Sequence, residues 1–158
     1  MENIKLNIQP QAGVLGVFSR LNYKPWYAIA EFVDNSTQSF YNNEKILVDT
    51  GIKTVTVRVE YDFEQNVLKI TDDAFGMEID DFARAVKVDS PPESNGGRNE
   101  FGMGLKTAAS WFGNIWSVES TQLGSSNKYY TEVNIQELRE KRLNTIDIIS
   151  VECDPMEH

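Results

Sequence analysis

Between Pro25 and Phe40 the chain reads PWYAIAEFVDNSTQSF. At the helical step of about 100° per residue its apolar and polar positions part onto two sides. Trp26, Ile29, Ala30, Val33, Thr37 and Phe40 gather on one, and Glu31, Asp34, Asn35 and Gln38 on nearly the opposite one. Pro25 suits a first helical turn, where its missing N–H costs nothing. The pattern predicts a helix with a core face and a narrow stripe of acids and amides, fraying over 41–44. No Lys or Arg enters that stripe. A carboxylate beside an amide on a rigid helix suits activating a water and holding a hard cation through oxygen. A solvated, merely acidic surface helix is the other reading.

Upstream, Val14–Leu21 predicts a short helix that Gly13 and Gly16 weaken. Downstream, Ile52–Tyr61 alternates, with Val55, Val57, Val59 and Tyr61 on one face and Thr54, Thr56, Arg58 and Glu60 on the other. That is the period of a half-buried strand. A turn at Asp62–Asn66 and a return strand at Val67–Thr71 make an antiparallel hairpin. The return strand runs into DDAFGM, Asp72–Met77, after which Asp80 is placed to cap a short helix through Val88 with Phe82, Ala85 and Val86 inward. From Asp89 to Gly104 prolines, glycines and small polar residues predict a long loop, a length that is usually functional or disordered. A helix over Leu105–Phe112 follows, with Leu105, Ala108, Ala109 and Phe112 inward. Strands at Ile115–Thr121 and Tyr129–Ile135, a helical turn at Gln136–Arg142 and a last strand at Ile146–Val151 complete the chain. The order predicts one α+β domain over 1–158, a two-layer sandwich with helices on one face of a mostly antiparallel sheet.

Composition narrows the function. At 158 residues, 41% hydrophobic and 25% charged, the chain reads as a single globular domain. No run approaches the ~18 apolar residues of a membrane helix, and the opening MENIKLNIQPQ is not a signal peptide. One cysteine, Cys153, excludes an internal disulfide, and a single His excludes a Cys/His zinc set. An intracellular, cytoplasmic protein with no membrane partner is the expectation. A net charge of −9 argues against direct nucleic-acid binding by this domain. It leaves anionic nucleotides open, because a cation and backbone N–H groups bind phosphate inside an acidic protein.

Three stretches carry candidate chemistry. Besides the stripe of Glu31, Asp34 and Asn35, Asp72 ends a strand, where a carboxylate can accept from a purine amino group or simply shape a turn. Gly76 permits close approach of a flat ligand, or merely a positive φ. FGMG opens the Leu105 helix, whose first N–H groups favour phosphate; helix-entry glycines in a flexible loop are the plainer reading.

In this order the stretches resemble the gyrase, heat-shock chaperone, histidine kinase and MutL superfamily of ATP-binding domains (GHKL, the Bergerat fold). EFVDNSTQSF is similar to its N-box, E-x-x-D-N-S; DDAFGM to its first glycine motif, D-N-G-x-G-M; NEFGMGLKTAA to its second, G-x-F-G-x-G-L-K. The likeness covers about Trp26–Thr121 and is closest in flavour to the Microrchidia (MORC) branch and its bacterial relatives, which implies a nuclear location if the chain is eukaryotic. It implies a Bergerat-type sandwich with ATP and Mg²⁺ as cofactors. Glu31 is then the general base, Asn35 the Mg²⁺ ligand and Asp72 the adenine reader, with Gly76 and Met77 beside the base. Residues 89–104 become the ATP lid. Backbone N–H groups of Gly102, Met103, Gly104 and Leu105 hold the β- and γ-phosphates. Lys106 meets phosphate or stands as an exposed helix lysine. Asp34 supports the Glu31–Asn35 geometry, and Trp26, Trp111 and Trp116 are assigned to packing.

Ala74 departs from the family glycine and Asp73 from its asparagine. The strand carrying the family's Thr is not found before His158, so the chain is expected to be the N-terminal portion of a longer protein, truncated at its C-terminus and slow or inactive in hydrolysis alone. The implied activity is an ATP-driven conformational switch with an ATP-dependent homodimer in the full-length protein and ATP/ADP as ligands. A histidine-kinase-like phosphotransferase and a non-hydrolysing interaction module are the alternatives.

Overall fold

A computed structural model describes residues 12–88 and 103–155. A 3₁₀ turn at Ala12–Val14 leads into α1 (Leu15–Phe18), then α2 (Pro25–Asn42) and α3 (Glu44–Asp49). The hairpin β1 (Val57–Asp62) and β2 (Val67–Asp72) precedes α4 (Ile79–Val86) and α5 (Gly104–Phe112). Strands β3 (Ile115–Thr121) and β4 (Asn127–Asn134), helix α6 (Ile135–Glu140) and strand β5 (Ile149–Glu152) follow. The class is the α+β one that the pattern predicts. The strands form two antiparallel sheets, β1–β2 and β3–β4–β5.

Local chemistry accounts for several boundaries. Pro25 opens α2 at its first turn. The hairpin is closed by Asp62, whose Oδ1 accepts from the N–H groups of Glu64 (2.9 Å) and Gln65 (3.0 Å), with Asn66 at φ +54°. Val59 pairs with Ile70 and Tyr61 with Leu68, so the apolar residues of both strands share a face. Asn134 caps α6 by accepting from Glu137 N at 3.1 Å. Leu15, Val133, Ile135 and Leu138 form a core cluster joined by Phe18, Val88, Trp116 and Ile146. Helix α5 packs on α2, α1 and α4, and so links the helical layer.

Four expectations need correction. On α2 the buried residues are Ala28, Ser36 and Phe40, on an i, i+4 line with Phe32, whose ring stacks on Phe112 at 6.5 Å. Packing against α5 rotates the core face away from Trp26 and Ala30. Trp26 is 60% exposed, with the Lys24 ammonium 5.0 Å over its ring, and is not a packing residue. Asp80 lies inside the first turn of α4, and Glu78 holds the cap position. The last strand is confined to four exposed residues, paired among the described residues with β4 alone. Among the described residues no helix is long and apolar enough to cross a membrane.

Candidate functional site

Helix α2 and strand β2 are tied by side chains. Ser36, buried on α2, sets its Oγ 2.8 Å from Asp72 Oδ2 and 3.0 Å from the carbonyl of Phe32, its two acceptors. The N–H of Ala74 donates to Asp72 Oδ1 at 3.0 Å. Both carboxylate oxygens are thereby oriented, yet Asp72 is exposed and each oxygen keeps a lone pair for an amino group. The departing Asp73 fastens the other side of the strand end: its Oδ1 accepts from Thr56 N at 2.6 Å, and its N–H donates to Thr56 O at 3.3 Å. Ala74 is 2% exposed, so the added methyl is packed within the protein.

The loop after Asp72 docks on the end of β3. Leu123 N donates to Phe75 O at 2.9 Å, and Met77 N to Ser120 Oγ at 3.0 Å. Gly76 between them has φ +76°, and a Cβ there would lie 1.9 Å from Thr121 O. Glycine is required at this position on both counts. The two sheets therefore meet at this glycine turn.

Glu31 is half-buried one turn before Asn35, and Tyr23 Oη donates to its Oε1 at 3.1 Å. Burial, then the charge of Glu31 and the hydrogen bond to it, raise the phenol's pKa. Asn35 is half-buried, its amide nitrogen shielded from solvent. The carbonyl of Asp34 accepts from Thr37 Oγ1 at 3.1 Å.

At the start of α5, Met103 occupies the cap without a side-chain hydrogen bond. The N–H groups of Gly104, Leu105 and Lys106 precede the bond from Thr107 N to Met103 O at 2.9 Å. They are the amides that a helix cannot satisfy from within. Lys106 is 0% exposed, which rules out the exposed helix lysine, and burial lowers its pKa from 10.5 to about 8. Phe112, expected inward, stacks on Phe32 yet stays 37% exposed.

Around α2 the structure thus gathers Glu31 and Asn35 on the helix itself, Asp72 through Ser36, the Gly76–Met77 turn behind Asp72, and α5 with Met103, Gly104, Leu105 and Lys106. Gly102 and most of the lid assigned to 89–104 lie outside the described residues. Ser36, Tyr23 and the Ser120–Thr121 strand end escaped the sequence reading. Ser36 had a signal, since it directly follows Asn35. Among the described residues no three His, Cys, Asp or Glu side chains form a metal site of their own. A separate cavity of about 180 Å³ lies beside α6, lined by Glu132, Asn134, Leu138 and Ile146 among others.

A comparison with curated proteins gives no match. The family described as histidine kinase-, DNA gyrase B-, and HSP90-like ATPase matches residues 23–158, from Tyr23 through every element described from α2 onward. With that match over most of its length, the chain belongs to the histidine kinase-, DNA gyrase B-, and HSP90-like ATPase family and is an ATP-binding domain of the GHKL type.

Proposed function

We propose that this domain binds ATP with Mg²⁺, hydrolyses it, and uses the cycle to change conformation and to pair with a second copy of itself. The observation that carries the reading is the Ser36–Asp72 hydrogen bond, which joins the helix bearing Glu31 and Asn35 to the strand end bearing Asp72. The roles follow from chemistry. Asp72 is acceptor-only when ionised, so it takes the amino group of adenine and repels the carbonyl oxygen of guanine. The first amides of α5 and the Lys106 ammonium carry positive charge, opposite in sign to phosphate. Lys106 also holds its proton more firmly once an anion arrives.

Asn35 fits a magnesium site of the kind in which the protein gives one oxygen and phosphates and water give the rest. Bound magnesium would supply charge neutralisation at the phosphates. Glu31 orients and deprotonates the attacking water, at a working distance of about 2.6–3.2 Å. Because α5 packs on α2, displacement of one reaches the other. That contact supports the switch.

Thermal shift with Mg·ATP is the first test. Ligand at about 100 times its Kd stabilises the fold by roughly 2.7 kcal/mol. The shift is expected in the wild type and in Glu31→Gln, and absent in Asp72→Ala. Equal shifts with GTP would remove Asp72 as the reader, and no shift at millimolar ATP would remove the site.

A further inference from the structure

The carboxylate of Glu31 has a dedicated partner outside the three glycine and acid motifs. Tyr23 precedes α2, and its hydroxyl reaches Oε1 of Glu31, eight residues on, at 3.1 Å. The phenol is itself held in place. Its ring stands edge-on to Trp111 at 6.0 Å and tilted against Tyr27 at 6.2 Å. The carbonyl of Leu21 accepts from Trp111 Nε1 at 3.2 Å and from Tyr23 N at 2.8 Å. One oxygen thus fastens the segment carrying Tyr23 to α5, the helix whose first amides are assigned to phosphate.

A glutamate side chain has three free torsions, and most of its rotamers aim the carboxylate away from any one water. Misplacement of a reacting group by about 1 Å can cost 10²-fold in rate. Tyrosine is a rigid two-torsion strut, and its raised pKa keeps the donor proton in place across the neutral range. A carboxylate that accepts on one oxygen retains the other as a base.

We infer that Tyr23 is a positioning residue for hydrolysis: it pins Oε1 of Glu31, presents Oε2 to the attacking water, and makes the placement of the base follow that of α5 through Leu21 and Trp111. This rests on the reading of Glu31 as general base. Tyr23 touches neither nucleotide nor water; it acts through the carboxylate.

The test is Tyr23→Phe in the intact chain, which removes one oxygen and keeps the packed ring. Nucleotide affinity by calorimetry with Mg·ATP is expected to stay within about twofold, while the single-turnover rate, with protein in excess, falls about ten- to a hundred-fold. In a Glu31→Gln background the same change is expected to add nothing. A turnover-independent readout is the ultraviolet ionisation of the phenol, taken as the difference between chains with and without Tyr23. It is expected to move down in pH in Glu31→Gln. An unchanged or faster rate in Tyr23→Phe overturns the inference, as does a full-size loss in the Glu31→Gln background or an unmoved phenol ionisation. If the phenol responds as expected but Glu31→Gln turns ATP over at the wild-type rate, or the wild type binds ATP without turnover, the base assignment is what has failed. The role of Tyr23 falls with it.

Discussion

Replacing Gly76 by alanine places a Cβ 1.9 Å from Thr121 O, 2.7 Å from Thr121 C and 2.9 Å from Gln122 Cα. All three are backbone atoms, and none can swing aside as a flexible side chain would. Relief needs a shift of about 1 Å between the glycine turn and the end of β3, given that real Cβ contacts essentially never fall under 3.0 Å. Such a shift opens the bonds from Leu123 N to Phe75 O and from Met77 N to Ser120 Oγ, each contributing about 0.5–1.5 kcal/mol. The positive φ adds roughly 1–2 kcal/mol for any residue with a Cβ. Together the loss is about 2–5 kcal/mol, a fall in Tm of roughly 5–15 °C for a chain of this size. Gly124 provides the internal control. It has φ +78° with nothing within 4 Å of an added Cβ, so Gly124→Ala isolates the conformational part alone. Urea denaturation of both variants beside the wild type reads the two contributions separately. If Gly76→Ala loses no more than Gly124→Ala, the close approach of the turn to β3 is refuted. The same variant is expected to lose its response to Mg·ATP, because the turn sets the backbone behind Asp72.

Other consequences follow from particular contacts. Ser36→Ala removes a donor to a carboxylate and is expected to cost about 1.5–3 kcal/mol of stability, with ATP affinity weakened severalfold by calorimetry. Lys106 has its pKa lowered to about 8, so between that value and 10.5 the unfolded chain binds more protons than the folded one. The burial penalty is fully present below about 8 and fades as pH rises towards 10.5, by at most about 3 kcal/mol. Urea midpoints measured across that window should climb in the wild type relative to Lys106→Met; parallel curves would remove the buried ammonium from the account. Chelating Mg²⁺ with EDTA is expected to shrink the ATP-induced thermal shift, and Asn35→Ala to make the remaining shift indifferent to the chelator.

Short-range pattern carried far in this chain. Pro25 and the periodicity after it placed α2 to within two residues at its end, and the strand expected near Ile115–Thr121 coincides with β3. What stayed hidden depends on partners distant in sequence. The core face of α2 turns towards Ala28 and Phe40 because α5 lies against it, and one helix's periodicity carries no record of a neighbour. Helix α3 is six residues, too short to show a period. Lys106 reads as a surface residue by its charge, and only the packing of α5 puts it at 0% exposure. For the candidate site, Glu31, Asn35, Asp72 and Gly76 stand in the motifs that carry the family resemblance. Ser36 closes the same N-box, but its bond to Asp72 was hidden, because that acceptor lies 36 positions along the chain and on another element.

One last property follows from α2 being unbroken between Glu31 and Ser36. Those five steps fix a span of about 7.5 Å and an angular offset of about 140° between Ser36, which holds the proposed purine reader Asp72, and Glu31, the proposed base for the attacking water. The helix is a ruler and a protractor at once. Adding one alanine between Val33 and Asp34 would leave every side chain intact, lengthen the gauge by about 1.5 Å and twist one end by about 100° against the other. A nucleotide seated by its purine would then present its far end to the wrong side of the helix.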